Sequence, residues 1–260
     1  MKLSDLDKPS DNGTQTKKLR DLVEKELNRA EKIWDGVGDK MLVKAYTDSM
    51  TESLLTAIPG HPEIDPNKPA VDVFIVLVVD MRQSSVHLNQ AIGPPAKVSM
   101  TERMFYETSA LLPAAAESIR LHGGKVTEYL GDGVLALFRA SEDRDQACYK
   151  ACRSARLVVG DMRDIVNDAL ANRYILPPID LGVGMAFSPA VVTAVGHPDE
   201  RAPKAIGVCV YRASKLASGY NEIMVDDNLK AIWPKDKSGH GFKFGQRTVG
   251  KLQGNIIPPK

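Results

Sequence analysis

KVTEYLGDGVLALF, residues 125–138, sets two short apolar, β-branched runs, 126–130 and 134–138, on either side of Gly131-Asp132-Gly133. Glycine reaches φ > 0 at little steric cost, so the pattern predicts a β-hairpin with one carboxylate at its tip. From the hairpin alone, Asp132 is either a turn former or a cation ligand. A second run, VDVFIVLVVD at 71–80, bears on that choice. It is too short to cross a bilayer and too uniformly apolar for a half-exposed strand, which predicts a central strand buried on both faces. The run ends in Asp80, followed by the polar loop Met81-Arg82-Gln83-Ser84-Ser85. An acid at the end of a buried strand and an acid at a hairpin tip suggest two carboxylates converging on a divalent cation. Oxygen-only ligation suits Mg²⁺ or Mn²⁺, which leave other positions to water and phosphate.

Outward from this centre, Leu19, Leu22, Val23, Leu27, Ala30, Ile33 and Trp34 follow the helical period and predict an amphipathic helix over 16–34, after a polar, disordered start at 1–14. A second helical segment is expected at about 40–57. This arm either packs on its own domain or serves a dimer interface. Proline-dense 59–69 marks a boundary, dividing the chain into an arm at 1–69 and a domain at 70–260, with His61 an exposed loop residue. Gly93-Pro94-Pro95 breaks the chain again. Ser99 and Glu102 have capping-box spacing for a helix running to about His122, and a second long helix is expected at about 142–172. Strand, helix, hairpin, helix, hairpin is the order of an α+β fold with a ferredoxin-like βαββαβ core and helices on one face.

The 260 residues are 43% hydrophobic with net charge +1, which predicts a soluble globular chain and gives no reason to expect nucleic acid or an anionic membrane as partner. No signal peptide or apolar run of membrane-spanning length is evident, so a cytoplasmic location is expected. Cys148 and Cys152 lie one helical turn apart, but no further cysteine or histidine completes a metal set; with Cys209 they are expected to be buried thiols.

Four stretches in one order, VDMRQSS, GGKVTEYLGDGVLALF, LGVGMAFSPAVVTAVG and IGVCVYRASKLASGYNEIMVDD, resemble the class III nucleotidyl cyclase catalytic domains over about 70–258. The resemblance implies their palm-like core, with further strands near 222–225 and a closing strand at 248–257. It implies that Asp80 and Asp132 are metal carboxylates for two divalent ions, that the Met81 carbonyl adds a ligand, and that the backbone of Gln83, Ser84 and Ser85 holds phosphate. The reaction would move a ribose 3′-oxygen onto the α-phosphorus of a nucleoside triphosphate and expel pyrophosphate.

Two further positions select the base in that family: lysine then aspartate in adenylate cyclases, glutamate then cysteine in guanylate cyclases. This chain has Glu128 and Lys204 there. Glutamate wants a ring N–H and lysine a carbonyl oxygen, an edge that belongs to guanine or uracil; alternatively the two pair with each other or face solvent. Where many cyclases place asparagine and a transition-state arginine, this chain has Tyr211 and Lys215, and Arg212 could supply the guanidinium instead. Such divergence resembles the bacterial anti-phage pyrimidine cyclases, the Pycsar group. The resemblance implies a cyclic UMP synthase acting as a head-to-tail homodimer with composite sites, its product read by a separate effector. Cytidylate or guanylate cyclase, or a nucleotide-binding module without turnover, are the alternatives.

Overall fold

The computed structural model describes residues 12–37, 54–89, 98–197, 200–235 and 242–258. Its centre is β3 (Ala70–Met81), paired antiparallel with β5 (Gly133–Arg139) on one side and β6 (Leu181–Val195) on the other. β4 (Lys125–Tyr129) closes the hairpin onto β5, so the strands lie in the order β4-β5-β3-β6. A strand with no polar face needs cover on both sides. Ile75, Leu77, Val79 and Met81 enter a core shared with α3 (Met100–Arg120), α4 (Arg144–Leu157) and α5 (Arg163–Tyr174). The alternate residues Phe74, Val76 and Val78 enter a second core with α6 (Val208–Leu216) and the small hairpin β1 (Leu54–Leu55) and β2 (Glu63–Ile64). The βαββαβ order is therefore present, with helical cover on the second face as well.

The sheet continues from β6 to β8 (Glu222–Val225) in parallel, then to β10 (Leu252–Ile257) and β9 (Gly245–Val249). The expected single closing strand at 248–257 is a hairpin, turning at Gly250 with φ +60°. β7 (Ala202–Ile206) pairs with the far end of β6.

Ser99 and Glu102 form the predicted reciprocal cap of α3. The long helix expected at 142–172 is two helices joined by a π-helical turn, Val158–Met162, where Gly160 leaves helical geometry. α1 (Asn12–Val37) begins before the predicted start, so 12–14 are helical rather than disordered; residues 1–11 lie outside the described residues. Leu19, Val23, Leu27 and Ala30 of α1 are buried in the same core as α3 and α5, and Arg173 binds Glu24, Asn28 and Glu31. The arm thus packs on its own domain.

Most of the helix expected at 40–57, and Gly93-Pro94-Pro95, lie outside the described residues. The end of that helix is corrected: Leu54 and Leu55 pair as a strand with Ile64 and Glu63, because Ile58 and Ile64 close the second core. His61 is also corrected. It is half-buried, with Nε2 3.0 Å from buried Asp72, which also accepts from Arg139 Nε at 2.7 Å. The three cysteines are buried thiols, and burial pushes the Cys148 thiol up to about 12, far from a ligand or nucleophile. Among the described residues no helix is long and apolar enough to cross a membrane.

Candidate active site

Strand pairing brings the two sequence-predicted acids together. Asp80, the penultimate residue of β3, lies opposite Gly133, and the Met81 N–H donates to the Asp132 carbonyl at 3.2 Å. The hairpin tip is thus stitched to the end of the central strand. The Leu130 N–H, donating to the Gly133 carbonyl at 2.8 Å, closes the tip, and Gly131 takes φ +73°. Burial pushes the Asp80 carboxyl above the usual range; Arg82 opposes this, and the neighbouring Asp132 charge adds to it. A like charge beside Asp80 at the mouth of a strand is what a cation would relieve.

Each acid is already engaged by the loop between them. Arg82 Nη1 forms an ion pair with Asp80 Oδ2, and Ser84 Oγ donates to Asp132 Oδ2. No group of three or more His, Cys, Asp or Glu side chains among the described residues could hold a metal. The donor set here is instead two carboxylates, all-oxygen ligands that fit Mg²⁺ or Mn²⁺ rather than a softer ion. The guanidinium on Asp80 is a stand-in cation and supports the fit.

The Met81 side chain is buried in the core below this loop. Gln83 adopts φ +58°, and its carbonyl accepts from the Val86 and His87 N–H groups at the start of α2 (Ser84–Asn89), which contains Ser84 and Ser85. His87 Nδ1 lies 2.9 Å from fully buried Glu107, which also accepts from Arg103 Nε at 2.8 Å, anchoring α2 to α3. A left-handed glutamine is strained relative to glycine by about 1 kcal/mol, partly offset by the greater freedom of unfolded glycine. Gln83→Gly is therefore expected to raise stability by about 0.5 kcal/mol in urea unfolding. A loss of stability would show that the glutamine side chain holds the loop.

Glu128 and Lys204 come together across the sheet as a half-buried ion pair. β4 slips register against β5 between Val126 and Glu128, a bulge of the kind that re-aims a side chain. On α6, Tyr211 and Lys215 are exposed one turn apart, the Lys215 ammonium 5.9 Å from the Tyr211 ring centroid. Arg212 is held differently: its Nη1 lies 3.1 Å from Asp226 Oδ2. Asp226 is buried, caps α7 (Asp227–Ala231) through the Leu229 N–H at 2.9 Å, and accepts from the Phe187 N–H at 3.2 Å. Burial pushes its carboxyl up, against the pull of these donors and Arg212.

Arg82 and Asp226 were not singled out from the sequence. Arg82 had a signal, since a residue two beyond Asp80 on an extending strand shares its side. Asp226 had one as well, as the first acid of an N-cap pattern before Leu229.

No protein-family model matches the sequence, and no curated protein matches it. Solved structures do. The chain is similar to the guanylyl cyclase Cya2 (18% identity, TM-score 0.58, covering 73% of this chain and 93% of that one). It is similar to the adenylyl cyclase CyaB from P. aeruginosa (16%, 0.56, 74% and 97%). It is also similar to a dimeric guanylyl cyclase domain of the RhoGC fusion protein from the aquatic fungus Blastocladiella emersonii (15%, 0.52, 74% and 97%). The chain has the α+β palm fold of the class III nucleotidyl cyclase catalytic domains, with an N-terminal helix packed on it.

Proposed function

We propose that this protein is a nucleotidyl cyclase, a lyase that converts a nucleoside triphosphate, UTP before others, to the 3′,5′-cyclic nucleotide and pyrophosphate. The observation that carries this reading is the juxtaposition of Asp80 and Asp132 at the end of the central strand. Their carboxylates, with the Met81 carbonyl, would hold two divalent ions. Such ions, when bound, lower the pKa of the attacking hydroxyl and neutralise the triphosphate. The backbone of Gln83, Ser84 and Ser85 would cradle phosphate. Because Arg212 is committed to Asp226, Lys215 is the cation of α6 that we assign to the transition state, with Tyr211 beside the ribose. The cyclase unit is taken as 70–260, with 1–69 as its arm. By resemblance to the pyrimidine cyclases, the product would be a cytoplasmic anti-phage messenger read by a separate effector.

The test is incubation with ATP, GTP, CTP or UTP in Mn²⁺ and in Mg²⁺, with products identified by mass. Cyclic UMP as main product supports the whole reading; cyclic GMP or cyclic CMP keeps the cyclase and replaces the base. No cyclic product from any of the four rejects turnover in favour of a binding module.

Glu128 and Lys204 are assigned to the base, glutamate to the N3–H and lysine to O4 of uracil. Their mutual ion pair keeps each partnered when the site is empty of base. Glu128→Lys with Lys204→Asp preserves the opposed charges but installs the adenine pattern. A mismatched edge leaves a buried polar group unpaired, so the ratio of UTP to ATP turnover is expected to fall about 10²-fold. An unchanged ratio would leave the pair a purely structural contact.

A head-to-tail homodimer with composite sites is supported by the exposed apolar residues around the base pair and α6. Tyr129, Ile206 and Tyr211 are 61%, 52% and 59% exposed. Mixing an Asp80→Ala chain with a Lys204→Ala chain is expected to restore one working site per heterodimer, about a quarter of wild-type sites after random exchange. Failure to recover, with exchange verified, rejects shared sites.

A further inference from the structure

The cation on Asp80 is part of the chain itself. Arg82 sits two residues beyond the acid, and its side chain is 22% exposed. Its guanidinium has partners besides Asp80: Nη1 lies 3.2 Å from the Ala217 carbonyl at the end of α6, and the group lies 5.6 Å from the centroid of the Tyr220 ring. Nε is buried and finds no acceptor among the described residues, so pairing with Asp80 leaves the guanidinium incompletely satisfied. Its root is fixed by the Arg82 N–H, which donates to the Asp180 carbonyl at 2.8 Å. An arginine in a protein does not lose its proton. A guanidinium so placed competes with any incoming cation for the carboxylate.

We infer that Arg82 is a resident counter-ion that competes with a divalent cation for Asp80, making the metal site weak until a polyphosphate brings its own negative charge. This rests on the reading of Asp80 and Asp132 as metal carboxylates. Two carboxylates against one guanidinium leave a single net negative charge at the mouth of β3, little to draw a free divalent ion from solvent. Triphosphate adds the missing anionic oxygens. When the carboxylate turns to metal, the guanidinium keeps the Ala217 carbonyl and the Tyr220 face, so displacement does not strand a buried charge. The same contacts link the metal acid to the end of α6, the helix that carries Lys215.

The experiment measures Mn²⁺ binding to nucleotide-free protein, by the electron paramagnetic resonance signal of free Mn²⁺ and by calorimetry. Arg82→Gln is expected to tighten Mn²⁺ binding about tenfold or more, because the competing charge is gone. Arg82→Lys, which keeps the charge, is expected to stay near wild type, and Asp80→Asn added to Arg82→Gln is expected to remove the gain. Thermal unfolding of each variant verifies the fold. Equal affinity in Arg82→Gln and wild type overturns the proposal while leaving the metal reading intact. Equal tightening by Arg82→Lys and Arg82→Gln also overturns it, since the effect would then be packing rather than charge. No Mn²⁺ bound by any of these proteins overturns the metal reading and the proposal together.

Discussion

Asp132→Ala is expected to abolish cyclic nucleotide production, by about 10³-fold or more, while leaving the fold in place. The loss follows from the chemistry: one of two carboxylates that would hold the ions is gone, and stabilisation of the developing charge is worth several kcal/mol, about tenfold for each 1.4 kcal/mol. The fold survives because the tip is held by backbone. The Met81 N–H still meets the residue 132 carbonyl, the Leu130 N–H still meets Gly133, and among the described residues the side-chain hydrogen bond lost is that from Ser84. Removing the Asp132 charge also takes away one of the influences that push Asp80 up, so Asp80 titrates lower in the variant. Product mass spectrometry and thermal unfolding on one preparation check both halves. Activity within tenfold of wild type would remove Asp132 from the metal site, and loss of the fold would make it structural.

Gly133→Ala is expected to be the most destabilising change in the hairpin, at about 3 kcal/mol, or roughly 6–12 °C in Tm. A Cβ built on Gly133 would lie 2.1 Å from the Val79 carbonyl oxygen, on the backbone of the central strand. Neither strand can yield easily, since Val79 and the run from Val134 to Phe138 are buried. Gly131 is needed for a different reason. Among the described residues a Cβ there meets nothing within 4 Å, but φ is +73°, so Gly131→Ala is expected to cost only about 1–2 kcal/mol. Denaturant unfolding of the two variants separates close approach from turn conformation. If Gly131→Ala costs more, turn conformation rather than strand contact determines the tip.

Much of the frame follows from local pattern. The apolar run at 71–80 cannot be solvated on either face, so β3 had to be central, and glycines around a lone acid had to turn the chain. The capping box of α3 is satisfied within four residues, and the burial of Leu19, Val23, Leu27 and Ala30 follows from helical period alone. These readings rest on interactions between near neighbours, which sequence displays directly. What the sequence could not show is where long-range contacts override local preference. Residues 54–57 read as the end of a helix, yet pairing with residues 63 and 64 makes Leu54 and Leu55 a strand. His61 reads as an exposed loop residue; it does lie in a loop, but half-buried against Asp72, which is buried and needs donors.

The same division runs through the candidate site. Asp80 and Asp132 were legible as acids at the ends of strands, because a charge that interrupts an apolar run is visible in one dimension. Which cation meets Asp80, and which partner Arg212 takes, were not. Arg212 is drawn to Asp226, fourteen residues on, and Arg82 to the carbonyl of Ala217, 135 residues on. Nothing in local sequence records such distances. The sequence by itself determined which residues could carry the chemistry; only the tertiary structure decided which charges are already spent on one another, because side-chain pairing depends on the packing of strands and helices far apart in the chain.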